Sequence, residues 1–172
     1  MWTWTGKERP PWAEEPQKGQ ESVWDYPRPP RIERDPRRVV VRAGQALLAD
    51  TMAAVRVLET ASPPTFYIPP NDVPIELLTP ANAPTYCEWK GEARHWSLDL
   101  EGERSGVLVA WSYPSPTPAF ESIRDYLSFY PGRVECLVAG ERVQPQDGGF
   151  YGGWITSEIV GPFKGAPGTG GW

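Results

Sequence analysis

Short apolar runs, cut by proline, glycine and charge, recur along the chain, and their period is mostly two. Arg38 to Arg42 (RVVVR) and Ala46 to Asp50 (ALLAD) flank Ala43-Gly44-Gln45, the pattern of a hairpin around a short glycine-containing turn. Ala53 to Thr60 (AAVRVLET) sets Val55 and Val57 against Arg56 and Leu58. Its β-branched residues and the stop at Ser62-Pro63-Pro64 favour a strand over the short helix that Ala, Arg, Leu and Glu would also allow. Thr65 to Ile68 predicts another short strand. Pro69-Pro70-Asn71-Asp72 then predicts a turn whose Asn or Asp caps one helical turn through Val73 to Leu78, with Pro74 in its first turn.

Thr85 to Lys90, Gly91, and Glu92 to Leu100 predict a second hairpin, whose second strand carries Trp96, Leu98 and Leu100 on one face and His95, Ser97 and Asp99 on the other. Glu101 to Gly106 reads as a turn, and Val107 to Tyr113 as a central strand buried on both faces. Thr117 as cap, Pro118 at the first helical position, and Phe120, Ile123, Leu127 and Tyr130 along one side predict the main α-helix over about residues 118–130, ended by Pro131-Gly132. Arg133 to Val143 predicts a strand and turn, and Trp154 to Val160 a further short strand. The fold class expected is mainly β and antiparallel, since strands outnumber helices too strongly for a doubly wound fold. A domain over residues 37–143 would lie between a Pro/Trp-rich N-terminal arm (1–36) and a Gly-rich C-terminal arm (144–172).

Composition sharpens this picture in three ways. Pro (21) and Gly (17) exceed a fifth of the 172 residues, which shortens elements, while 9 Trp and 7 Tyr must find a core, a cleft or an interface. The net charge of −5 argues against nucleic acid as a partner, although Arg31, Arg34, Arg37 and Arg38 form a small basic cluster. No apolar run approaches a membrane span of about 20 residues, and MWTWTGKERPPW lacks the apolar middle of a signal peptide, so a cytoplasmic protein with no membrane partner is expected. Cys87 and Cys136 are expected as free thiols, and one histidine without a C-x-x-C leaves no conventional zinc site, so neither metal nor cofactor is predicted.

The runs ADT (Ala49 to Thr51), RVLE (Arg56 to Glu59), YIPPNDV (Tyr67 to Val73), CEWKGEARHWS (Cys87 to Ser97), AWSYPSP (Ala110 to Pro116) and SFYPGRV (Ser128 to Val134) closely resemble the bacterial family catalogued as domain of unknown function 427. The resemblance spans about Arg37 to Gly140 and leaves both arms outside. It implies a β-tent-like fold, two antiparallel sheets leaning together over a pocket, and an activity not established for the family. The nucleotidyltransferase label attached to the family finds little support in the residues. Such enzymes need a Gly-Ser phosphate-binding turn followed by carboxylates that hold magnesium, whereas here Ser105-Gly106 is reversed and Asp99-x-Glu101 precedes it.

Three functional readings follow. The first is a small-molecule-binding domain in which Tyr67, Lys90, Trp96, Trp111 and Tyr113, with Cys87 and His95 nearby, line a pocket for a polar or anionic ligand. Lys90, between Trp89 and Gly91 and inside the family-like Cys-x-x-Lys-Gly run, is either a desolvated amine of lowered pKa or an anchor for an anion, against the plainer reading of a surface hairpin lysine. The second is an enzyme using Lys90 or Cys87, with His95 as base. In a regular strand Cys87 and Lys90 point to opposite faces, so only a bulge or the turn itself would join them. The third is a homo-oligomer held through the Trp-rich arms. Asp50, Glu59 and Asp72 are the acids beside the β-rich runs, with Asp72 most simply a turn or cap residue.

Overall fold

The alternating runs become strands wherever their apolar face finds a second layer. In the computed structural model, which describes residues 1–100 and 103–172, the strands in chain order are β1 (Glu21–Ser22), β2 (Arg31–Asp35), β3 (Val39–Ala43), β4 (Ala46–Thr51), β5 (Ala54–Leu58), β6 (Thr65–Tyr67), β7 (Leu78–Cys87), β8 (Gly91–Leu100), β9 (Glu103–Ser112), β10 (Leu127–Phe129), β11 (Glu135–Val138), β12 (Glu141–Arg142), β13 (Gln144–Pro145), β14 (Trp154–Ile155) and β15 (Ile159–Val160). The first two residues of the turn expected over 101–106 lie outside the described residues, and Glu103 onwards is already strand.

Among the described residues the strands form sheets ordered β12-β11-β3-β4, β10-β9-β8-β7 and β2-β5-β6, with the short pairs β13-β14 and β1-β15. All of these pairings are antiparallel except β1 with β15. Backbone bonds between Ile68 and Leu127 (2.8 and 2.9 Å) carry the end of β6 onto β10, so two of the sheets continue into each other. Val39, Val41, Leu48, Cys136 and Val138 from the β12-β11-β3-β4 sheet meet Phe66, Ile68, Leu98, Val109 and Phe129 from the others in the largest apolar cluster. The period of two then sends neighbours the other way. Tyr67 and Trp111, each next to a residue of that core, join Val57, Ala93, Tyr113, Phe120 and Ile123 in a second, aromatic cluster on the opposite face.

Both early hairpins form as expected. β7 starts earlier than Thr85, and it accommodates Pro80 and Pro84 because it is an edge strand with a register break between Ala81 and Thr85. β9 is central, between β8 and β10, but burial on both faces is confined to its second half, since Val107 is 42% exposed.

The α-helix expected over about 118–130 is not there. Pro118–Ile123 is a 3-10 segment broken at Phe120 (φ −113°), Asp125 takes a positive φ, and Leu127–Phe129 is strand β10. The apolar spacing has a different cause from a helical face. Leu127, Ser128 and Phe129 are all buried, which one side of a helix cannot achieve, and their backbone is claimed by Ile68 and β9. Thr117 makes no cap either; its hydroxyl donates to the carbonyl of Trp89 (2.6 Å). Asp72 is likewise no cap: Pro70–Asp72 and Ile75–Leu77 are uncapped 3-10 turns, and its carboxylate accepts a hydrogen bond from Thr51 Oγ1 (2.6 Å).

The arms fold back on the sheets and on each other. Trp24 is fully buried, with the rings of Trp4, Trp12 and Trp172 at centroid distances of 6.1, 6.3 and 5.3 Å. Arg28 donates to the carbonyls of Trp4 (3.1 Å) and Trp172 (2.8 Å) and stacks on Trp2 at 3.9 Å. No helix among the described residues is long and apolar enough to cross a membrane.

Candidate ligand pocket

The aromatic cluster does not fill the space behind it, and the β7–β8 hairpin turn overhangs the gap. Gly91 sits at φ +104°, a conformation costly for other residues, and closes the turn after Glu88-Trp89-Lys90. The turn is tied down by Thr117, whose N–H donates to the Lys90 carbonyl (3.0 Å) and whose hydroxyl donates to Trp89. Lys90 is thereby turned inward, its ammonium 5.7 Å from the ring centre of Tyr113 and 6.0 Å from that of Phe120. Cys87 lines the same gap, so the turn itself, and not strand alternation, brings these two residues to one wall.

The gap is a cavity of about 550 Å³ whose walls include Tyr67, Cys87, Lys90, His95, Trp111 and Tyr113. Trp96 is the exception among the residues singled out by sequence. It packs against the main core and donates from Nε1 to Ser112 Oγ (3.0 Å), on the face of β8 opposite to Ala93 and His95. Alternation had grouped it with Leu98, and that grouping, a core face, is what the fold uses.

Burial works against the Lys90 ammonium, yet Tyr67, Cys87 and Glu59 hold its pKa above the ordinary lysine value. That direction favours the anion-anchor reading of Lys90 over the amine of lowered pKa. Burial, then Tyr67, push the Tyr113 hydroxyl pKa far up, and Tyr67 Oη accepts a hydrogen bond from Trp111 Nε1 (3.2 Å). His95 is only 5% exposed; burial and then the charge of Arg133 hold it below 6.5, and the ring is neutral at neutral pH. Its Nε2 lies 2.8 Å from Thr85 Oγ1, while its Nδ1 and the Nε1 of Trp89 are buried without a partner. With both nitrogens so accounted for, His95 makes no hydrogen bond to Cys87 and is not placed as its base.

Other wall residues could not be read from local pattern. Arg133 donates to the carbonyls of Leu108 (2.6 Å) and Gly149 (3.2 Å) and stacks on Tyr130 at 4.1 Å. Lys164, 6% exposed and held below the usual lysine range by burial and Arg28, lies 4.6 Å from the Trp2 ring centre. Among the described residues, none of Lys90, Arg133 and Lys164 has a carboxylate within ion-pair distance. Glu59, also on the wall, pairs with Arg28 (3.3 Å). Asp50 pairs with Arg38 (2.7 Å) away from the cavity, and Arg31 and Arg37 pair with Glu33 and Asp35, which breaks up the basic cluster. No three metal-binding side chains gather among the described residues.

The profile of a domain of unknown function (DUF427) matches residues 31–140. The chain belongs to that family. A comparison with curated proteins finds no match. The DUF427 portion supplies β2 to β11 and with them every wall residue singled out by sequence, whereas Trp2, Tyr151, Gly152 and Lys164 reach the same cavity from outside it.

Gly152 shows how closely the C-terminal segment is fitted to the DUF427 portion. A Cβ there would stand 2.3 Å from Cη2 and 2.5 Å from Cζ3 of Trp111, a ring that Tyr67 holds in place. Gly152→Ala is expected to destabilise the protein by about 1–3 kcal/mol through overpacking. Thermal unfolding checks the loss, and a shift in tryptophan fluorescence would report the displaced ring.

Proposed function

We propose that this DUF427 chain is a small-molecule-binding domain whose aromatic, lysine-containing pocket takes a polar, anionic ligand, between sheets in a β-tent-like arrangement. The observation that carries the reading is electrostatic. In a chain of net charge −5, one cavity gathers Lys90, Arg133 and Lys164, none with a carboxylate partner among the described residues. Arg133 and Lys164 (Nζ to the Trp172 oxygen, 3.4 Å) donate to backbone oxygens and the wall also carries Glu59 and Glu88, but cations without an ion-pair partner in a partly desolvated, ring-lined space favour an incoming anion, and the unpartnered nitrogens of His95 and Trp89 add hydrogen-bonding capacity on the same walls. The rim offers Tyr86 (75% exposed) and Phe150 (70% exposed), apolar surface suited to the less polar end of a ligand.

The test is a thermal-shift panel of citrate, inorganic phosphate, nucleoside monophosphates and aromatic carboxylates. A ligand at about a hundred times its Kd stabilises the native state by about 2.7 kcal/mol, a rise of roughly 5–10 °C in Tm for a chain of this size. The rise is expected to be lost in Lys90→Met. If no anion in the panel raises Tm, or if the rise is unchanged in both Lys90→Met and Arg133→Met, the reading fails.

A further inference from the structure

Cys87 and Cys136 are both free, but their surroundings differ completely. Cys136 is fully buried in the main core, where burial pushes its thiol pKa far up. Cys87 ends β7, is half-buried, and lies on the same cavity wall as Lys90, which follows it by three residues in the hairpin turn. A cation beside a sulfur on the wall of an anion-favouring cavity can serve twice, offsetting charge on an attacking sulfur and fixing a carboxylate on the molecule under attack. The same walls carry His95, more than nine-tenths buried, with Nδ1 unpartnered.

We propose that Cys87 is a covalent capture site for small carboxylate-bearing electrophiles, with Lys90 holding the carboxylate while the Cys87 sulfur attacks the adjacent carbon. The inference rests on the anion-binding reading of the pocket and adds a bond-forming step to it. With an α-halo acid the step is a displacement. The thiol proton is lost to water at the cavity mouth, Sγ donates an electron pair to the α-carbon, a carbon–sulfur bond forms, and the carbon–halogen bond breaks with the halide leaving as the anion.

Iodoacetate and iodoacetamide have the same reacting carbon and differ in the carboxylate, so their rates on the full chain test the proposal. Alkylation at Cys87 is followed by intact mass and peptide mapping, with glutathione as the free-thiol reference and Cys136 as the internal control. The ratio of the iodoacetate rate to the iodoacetamide rate at Cys87 is expected to exceed that of glutathione by about tenfold, the lower end of electrostatic steering. The excess should disappear in Lys90→Met, persist in Lys90→Arg, and fall with added salt. A ratio equal to that of glutathione, or one unchanged in Lys90→Met when Lys90→Arg shows the fold is intact, overturns the inference. Stabilisation by citrate or phosphate without this preference would remove the covalent step alone and leave the binding reading in place. Absence of both would remove the binding reading as well.

Discussion

Trp154→Ala is expected to lower the unfolding free energy by about 3–5 kcal/mol, the usual cost of emptying a fully buried Trp site. Trp154 is 0% exposed although it lies in the Gly-rich C-terminal segment, 14 residues beyond the last position of the family match at 140. Its ring stacks on Phe66 of β6 with centroids 4.8 Å apart, its Nε1 donates to the Phe129 carbonyl of β10 (2.9 Å), and its backbone N–H donates to Pro64 (2.8 Å). Alanine would leave both a cavity against Phe66 and a buried carbonyl without its donor. Trp154→Phe keeps a ring and should recover all but about 1–3 kcal/mol, the cost of the orphaned carbonyl. Urea unfolding of the three proteins gives these differences as shifts in midpoint at constant slope. A loss below about 1 kcal/mol for Trp154→Ala would mean that the C-terminal segment is an accessory to the core and not a part of it.

The second large effect is expected at Arg56, 5% exposed on β5, which reaches the N-terminal segment and β2 at once. Its guanidinium donates to both carboxylate oxygens of Glu21 (3.2 Å each) and to Glu33 (2.6 Å), and lies 3.6 Å from Asp35. Arg37 pairs with Asp35 on one side and with Glu158, next to β15, on the other. Removing one member of a buried ion cluster costs about 3–5 kcal/mol. Arg56→Met should fall near 3, because Glu21 and Glu33 are 44% and 41% exposed and can return to water, and Asp35 keeps Arg37. The dependence on pH gives a second check. Burial opposes the Glu21 carboxylate, but hydrogen bonds from Arg56 and Tyr26 hold its pKa below 4.5. Burial likewise opposes Asp35, and Arg37, then the charge of Arg56, hold it below 3.8. Depressed carboxylates contribute stability that is complete above their unfolded values and is lost as pH falls through the folded ones. Wild type should therefore lose stability below about pH 4.5, and the gap between wild type and Arg56→Met should narrow on the same descent. A gap that holds constant from pH 7 to pH 2.5 would assign the effect to packing and not to charge.

Most of the strand layout was legible along the chain because a period of two needs only a half-buried sheet face to express itself. Val39 to Val41, Phe66 with Tyr67, and Ala110 with Trp111 all divide between faces as their alternation requires. The segment 118–130 was misread for the complementary reason. Phe120, Ile123 and Leu127 are spaced like a helical stripe, but Leu127 to Phe129 are recruited by Ile68 and β9, partners fifteen or more residues away. Nothing local announces a strand whose edge is supplied from elsewhere.

The candidate pocket divides in the same way. Tyr67, Cys87, Lys90, His95, Trp111 and Tyr113 stood out because unusual residue types sat at strand ends and at one hairpin turn, and those positions face one cavity. Trp96 stood out on identity alone, and the face it occupies belongs to the core. Residue types and alternation along this chain were enough to determine a mainly β protein with an aromatic, lysine-bearing hairpin, and its motif runs carried the resemblance to the DUF427 family that the match over 31–140 shows. Tertiary structure alone decided that the hairpin turn brings Lys90 and Cys87 to one wall, that Arg133 and Lys164 share that cavity, and that both terminal segments complete the walls. Each of those outcomes depends on long-range closure, which sets burial and charge around a side chain and leaves no periodic trace in the sequence.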